Sequence, residues 1–222
     1  MRKRAALSSA IGFILIVSLF CAAQAGKVES VGPLTDSSVP EAIRQAVEGK
    51  GYRLTLDGST PACELWIRKN IPVQTKKEVE GVAYPQLAES TLIAVIHFPQ
   101  AAADFRGHNI PAGFYTLRYA IMPNDGNHLG AAPNRDFLLA IPAASDTNPA
   151  AAFKPEELVT MSARTTGTKH PSPLSLAETD SRPSTPTVSK DDQDHWIFSA
   201  TTKLNSGDDL PIALVVKGTA QQ

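Results

Sequence analysis

Cysteine is nearly absent from this sequence, with two in 222 residues. Cys21 falls in an N-terminal apolar segment and Cys63 stands alone in the rest, so no internal disulfide staples the fold. An excess of one charge is missing too: 21 Lys and Arg face 22 Asp and Glu, a formal net charge of −1. Without a basic surplus there is no electrostatic footprint for nucleic acid or an anionic membrane. Beyond residue 25 no apolar run approaches the roughly 20 residues that a spanning helix needs. The sequence has no Gly-x-Ser-x-Gly elbow, no His-Glu-x-x-His pair, no phosphate-binding glycine loop and no dinucleotide fingerprint. The familiar hydrolase, metalloprotease, nucleotide-binding and dehydrogenase signatures are therefore lacking. No internal repeat is present.

What is present starts with an export signal. Arg2, Lys3 and Arg4 form a basic n-region, and an apolar core runs from Ile11 to Phe20. "AAQAGK" then sets Ala23 and Ala25 at the small-residue positions before a cut after Ala25. A lipid-anchoring signal needs a small residue before the cysteine, and Phe20 precedes Cys21, so no lipid anchor is expected. Residues 1–25 read as a cleaved signal peptide, which makes the protein periplasmic or extracellular. The cut removes three cations, leaving 18 basic against 22 acidic side chains, a net charge of −4. Residues 26–37 read as a flexible N-terminal segment. Residues 38–220 are long enough for one domain with a sizeable core.

Ser37 or Ser38 caps a short helix with Pro40 in its first turn, Val39, Ile43, Ala46 and Val47 at helical spacing, and Gly49 and Gly51 beyond it. In "YRLTLDG", Tyr52, Leu54 and Leu56 alternate with polar residues, as in a half-buried strand. "GSTPA" turns the chain into "CELWIRKNIPV", which has Cys63, Leu65 and Ile67 on one face and Glu64, Trp66 and Arg68 on the other. A buried small hydrophobe is the simple reading of Cys63. "TLIAVIHF" is apolar on both faces and reads as a central strand. "FYTLRYAIM" puts Tyr115, Leu117, Tyr119 and Ile121 on one face and Thr116 and Arg118 on the other, which is expected to be wet. Gly113 supplies positive φ before this strand, and Asp125-Gly126 is a hairpin signal after it. "RDFLLAIPA" is a further strand.

"FKPEELVTMSARTTGTKHP" is a second helix, with Pro155 in its first turn, Glu156 and Glu157 at its positive end and Gly167 as C-cap. From 171 to 194 Ser, Thr, Pro and Asp dominate, and the segment reads as an exposed polar excursion. "HWIFSATTKL" and "DLPIALVVKG" close the chain as a hairpin, with Trp196, Phe198 and Ala200 in the core. The sum is a mainly β protein: an antiparallel two-sheet β-sandwich with one or two short helices, or alternatively a closed β-barrel.

The run "FRGHNIPAGFYTLRYAIMPNDGNHLG", followed by "NRDFLLAIPA" and "TTGTKHPSPLSL", resembles a group of uncharacterised exported bacterial β-sandwich proteins. Its "IPAGFYTL" is similar to their Pro-Ala-Gly-x-Tyr-Ser/Thr-Leu turn and strand. The resemblance implies a secreted, β-rich single domain. It brings no activity, so no catalytic residue is carried over from it.

Two constellations invite chemistry. His97, His108 and His128 flank adjacent strands, with Asp125 or Asp136 available as a carboxylate. Three such groups at one sheet end would hold zinc with an open position for water. No histidine pair at short ligand spacing preassembles such a site, and "DGNH" offers too few oxygens for calcium. No metal, cofactor or catalytic residue is assigned. Glu64, Trp66 and Arg68 on one strand face would make an aromatic platform beside two charged groups, able to stack a sugar or grip a peptide. The plainer reading is an amphipathic outer face, or a Trp66 covered by the first helix.

The expected function is a non-catalytic binding or assembly module at the cell envelope, with a glycan, peptide or envelope protein as partner. A metal-dependent hydrolase on the histidines is one alternative, and a structural accessory subunit packed by an apolar patch is the other. N-terminal sequencing of the exported protein should start at Gly26; a start upstream of it would refute the assigned cut.

Overall fold

The structure is a computed structural model that describes residues 25–75, 78–124, 132 and 134–220. In chain order the strands are β1 (Lys27–Val31), β2 (Gly51–Thr55), β3 (Cys63–Ile67), β4 (Leu92–Phe98), β5 (Ala102–Ala103), β6 (Asn109–Ile110), β7 (Gly113–Ile121), β8 (Asp136–Pro142), β9 (Pro173–Ala177), β10 (Thr187–Lys190), β11 (Trp196–Lys203) and β12 (Asp209–Lys217). Helix α1 is Glu41–Ala46 and α2 is Pro155–Thr166, with a 3-10 turn at Ala143–Ser145. Among the described residues no helix is long and apolar enough to cross a membrane.

Ten strands form one sheet in the order β1-β2-β3-β4-β7-β8-β9-β12-β11-β10, every neighbouring pair antiparallel, while β5 and β6 form a separate small hairpin. The mainly β, antiparallel architecture with two short helices is as the sequence reads. Its two faces are one continuous sheet that nearly closes as a barrel. Strand β9 makes the join: Pro173, Leu174 and Ser175 pair with β8, then Leu176 and Ala177 pair with β12. At the other end β1 meets β10 only at an Ala25–Ser189 bridge and a Gly26 N–H to Val188 O bond of 2.9 Å.

Two expected segments are corrected by this topology. The polar excursion at 171–194 contains β9 and β10, and Leu174, Leu176 and Val188 are buried. Their apolar side chains alternate with Ser and Thr, which hides two short strands in a polar composition. Only residues 178–186 lie between these strands. The N-terminal segment 26–37 likewise contains β1, ordered by pairing along its whole length with β2.

Inward-facing side chains fill the interior. Leu54, Leu65, Ile96, Leu117, Leu138 and Phe198, all buried, belong to one apolar cluster. Cys63 lies in the same cluster, and burial pushes its thiol up to about 12, so it stays protonated and inert. The expected pattern of Tyr115, Leu117 and Tyr119 facing inward holds.

The outer face is roofed in three places. Helix α1 lays Ile43 over Trp66, Leu92 and Val95, which is why β4 is apolar on both faces. Helix α2 starts at Pro155 and ends on Gly167 at φ 68°, as its sequence indicates. It packs Leu158 on Leu139 and Ile141, and Ser162 and Thr165 donate to Ala140 O at 2.8 and 2.9 Å. Phe105, in the β5–β6 turn, covers Phe137 and Val215.

The wet face expected for Thr116 and Arg118 is wrong. Both are fully buried, bonded to a strap formed by the segment from the 3-10 turn to α2. Asp146, also fully buried, accepts Arg118 Nε at 2.7 Å and Nη2 at 2.8 Å, and accepts Thr116 Oγ1 at 2.7 Å. Sequence alternation assigns the face of a side chain but not what covers it. Leu117→Ala should cost about 2–5 kcal/mol as a core truncation. Arg118→Ala should cost about 3–5 kcal/mol, because it strands the Asp146 carboxylate. Denaturant melts of both variants check this; an Arg118→Ala variant as stable as the parent would show that the strap does not hold in solution.

Candidate functional site

A row of side chains crosses five adjacent strands on the outer face. Glu29 lies opposite Arg53, Arg53 opposite Glu64, Glu64 opposite His97, and His97 opposite Phe114. Residues directly opposite one another on one face are the natural contact pairs of a sheet, and here they alternate in charge before ending on an aromatic. Arg53 donates Nε and Nη2 to Glu64 Oε1 at 2.8 and 2.7 Å. His97 Nδ1 lies 3.1 Å from Glu64 Oε2, and its ring stacks on Phe114 at 4.2 Å between centroids and 10° between planes. Partial burial pushes the Glu64 carboxyl up, but Arg53 and His97 outweigh it and hold the group below its ordinary value.

At its β1 end the row opens into a depression of about 630 Å³ between β1, the end of β2 and the turn into β3. Lys27, Glu29, Arg53, Thr55, Asp57 and Ser59 line it. Lys217 makes a 3.0 Å ion pair to Asp57, and this contact lowers the Asp57 pKa. Charges of both signs beside hydroxyls and backbone suit a hydrogen-bonding ligand better than an apolar one.

The aromatic platform that Glu64, Trp66 and Arg68 would make does not form, and Trp66 is covered by the first helix, as the plainer reading has it. Trp66 is 5% exposed, roofed by α1, with Nε1 donating to Gly32 O at 2.9 Å. Gly51 lies so close that a Cβ there would sit 2.5 Å from the indole nitrogen. Arg68 turns toward the strap and donates to Pro149 O at 3.0 Å; burial, then the nearby Arg118, lowers its pKa. Of the three, Glu64 belongs to the row, and its partners are Arg53 and His97.

Each described histidine of the metal candidate has its own carboxylate. His97 lies against Glu64, and His108 lies 3.4 Å from Asp104, whose Oδ1 accepts the backbone N–H groups of Arg106 and His108. Asp136 accepts from Ala83 N, Tyr84 N and Tyr119 Oη. His128 and Asp125 lie outside the described residues. Among the described residues no three His, Cys, Asp or Glu side chains come together to hold a metal.

Arg53 and Phe114 were not singled out from the sequence. The "GSTPA" turn was the available signal, since the hairpin register it sets puts Arg53 opposite Glu64. Comparison with family models, curated proteins and solved structures finds no match to this chain.

The row makes a pH prediction. A carboxyl held below its ordinary value adds stability that is fully present above about pH 4.5 and is lost as pH falls through the lowered folded value. Glu64→Gln should therefore cost at most about 1 kcal/mol near neutrality, because Arg53 is partly exposed. That difference should shrink as pH falls below 4.5, and denaturant melts over a descending pH series from pH 7 measure it.

Proposed function

We propose that this protein is an exported, non-catalytic binding or assembly module of the cell envelope, engaging its partner on the outer face of β1 and β2. The depression at the end of the charged row is the observation that supports this reading. It offers Lys27, Glu29, Arg53 and Asp57 together with the Thr55 and Ser59 hydroxyls, a mixed set suited to a glycan or a peptide. The depression lies outside the buried apolar cluster, on the face that carries the charged row. The resemblance to exported bacterial β-sandwich proteins fits the same reading.

The accessory-subunit alternative asks for a broad apolar patch. Among the described residues the exposed large hydrophobics are Val79 and Val159, one in a loop and the other on α2. The hydrolase alternative asks for histidines that share a metal, whereas His97 and His108 are each engaged by a separate carboxylate.

Immobilised protein screened against extended peptides and envelope glycans should give a saturable ligand. Arg53→Ala should weaken that ligand by about tenfold, with stability lowered by no more than about 1 kcal/mol, the contribution of the Arg53–Glu64 pair. Chelator-stripped protein should show no histidine-dependent rise in melting temperature with zinc. A stoichiometric rise lost in His97→Ala, accompanied by hydrolysis of an ester or phosphoester substrate, would replace this reading with the hydrolase.

A further inference from the structure

The cut read after Ala25 falls where the two ends of the barrel meet. Ala25 forms the bridge to Ser189, and Gly26 N–H donates to Val188 O at 2.9 Å. Among the described residues this is the one backbone hydrogen bond that joins the β1 end of the sheet to β10. Chain ends usually fray, but Gly26 is wedged. A Cβ there would lie 2.7 Å from Thr55 O, 2.8 Å from Val188 Cγ1 and 3.2 Å from Trp196 Cζ3, so β2, β10 and β11 enclose it. Lys27, the next residue, is already paired with Thr55. A chain that starts at Gly26 therefore starts within the paired sheet.

Cleavage changes the chemistry at this point. The oxygen of water goes to the Ala25 carbonyl carbon as a carboxylate, the C–N bond breaks, and both hydrogens go to the Gly26 nitrogen. An amide with one donor becomes an ammonium with three. The same step takes away Ala25 and its bridge to Ser189, so the seam loses one link as the other gains a charge. A bond from a charged donor is roughly twice as strong as a neutral one. The two added donors open on the depression that Gly26 lines together with Asp57 and Ser59.

We propose that the α-amino group freed on Gly26 is the clasp of the barrel, so that removal of residues 1–25 strengthens the closure between β1 and β10. The inference rests on the export reading and gives the cut a second role. Before the cut the seam is held by neutral backbone contacts. After it, a charged donor on Gly26 holds Val188 O.

The charged groups around the amine cancel. On β1 Lys27 pairs with Glu29 at 2.9 Å, on β2 Arg53 pairs with Glu64 at 2.7 Å, and past β2 Asp57 pairs with Lys217 of β12 at 3.0 Å. On β10 Lys190 pairs with Asp194 at 2.6 Å. His195, just before β11, lies 3.3 Å from Asp191 and 3.1 Å from Thr219 O. With these cations each beside a carboxylate, the Val188 carbonyl oxygen tips the balance toward the charged amine. The clasp is then fully present below the ordinary α-amino range of about 7.7–8.0 and is lost as pH rises through the folded value.

The test compares the exported protein, starting at a free Gly26, with the same chain Nα-acetylated. Acetylation restores the amide and keeps one N–H for Val188 O, so the two forms differ only in the charge and the two added donors. It should lower the melting temperature by about 2–4 °C at about pH 6, and the gap should close by about pH 10. In Gly26→Ala the Cβ meets Thr55 O and displaces the amine, so acetylation should then make no difference. That arm separates a local clasp from a general effect of net charge. Equal melting temperatures at about pH 6, a gap unchanged at about pH 10, or the full gap in Gly26→Ala would each overturn the proposal. Should Gly26→Ala not fold, the pH series on the parent chain decides. An exported protein that starts elsewhere overturns the clasp together with the assigned cut. A Gly26 start with no effect of acetylation removes the clasp alone, and the ligand screen still tests the binding module.

Discussion

Arg118 and Asp146 form an ion pair that water does not reach, and the folding of the strap onto the barrel turns on it. All five guanidinium N–H groups have acceptors. Nε and one Nη2 hydrogen go to Asp146, the second Nη2 hydrogen to Asn148 O at 2.7 Å, and Nη1 to Ser90 O and Ala151 O at 2.6 and 3.0 Å. The Phe153 ring stacks over the guanidinium at 4.8 Å. One side chain on β7 thus fixes the turn before β4 and the chain that leaves β8. Desolvating both ions is costly, and a well-packed apolar pair would often be as stable. What the pair adds here is register, because five donors in a rigid fork accept only one path for residues 146–153. That path delivers α2 to β8. Ser162 and Thr165 then bond Ala140 O, while Ala140 N donates to Ser172 O, where β9 begins.

A second buried polar anchor works at the handover between the two faces. Asp136 accepts Ala83 N at 2.7 Å, Tyr84 N at 3.0 Å and Tyr119 Oη at 2.6 Å, which holds the loop before β4 against β8. Tyr84 then reaches across to the point where β9 meets β12. Its hydroxyl donates to Ala177 O at 2.9 Å and accepts Ala213 N at 3.2 Å. A side chain there bonds to both strands of a ladder that β9 joins for only two residues. Burial pushes the Tyr84 phenol up to about 12 and drives Tyr119 up as well, with the Asp136 carboxylate adding to both. Both hydroxyls therefore stay protonated and keep donating.

Periodicity carried the sequence reading as far as faces and elements. The alternation in Tyr115, Leu117 and Tyr119, the two-sided apolarity of β4 and the Pro155 to Gly167 limits of α2 are local signals, and each matches the structure. What the sequence hid depends on partners far along the chain. Arg118 meets Asp146 across 28 residues and Trp66 meets Gly32 across 34; a cover for Trp66 is foreseen in the first helix, but no local pattern names either polar partner. Strand β9 escaped because five residues flanked by Ser, Thr and Pro carry little periodic signal. The charged row escaped for a related reason: Glu64 was visible on its face, but its partners became legible only with the register of the neighbouring strands.

A free sheet edge is a hazard, because unpaired backbone groups template association with other chains. Here the exposed part of the edge is Val28 to Val31, with Lys27 and Glu29 displayed outward and Pro186 facing it. Charges and proline are the usual guards of such an edge. Lys27 and Glu29 lie 2.9 Å apart on the outer face of β1, so the edge displays a paired charge couple beside its backbone. The barrel therefore meets at its two ends through one bridge and one backbone bond, and guards the remainder of the β1 edge with side-chain chemistry.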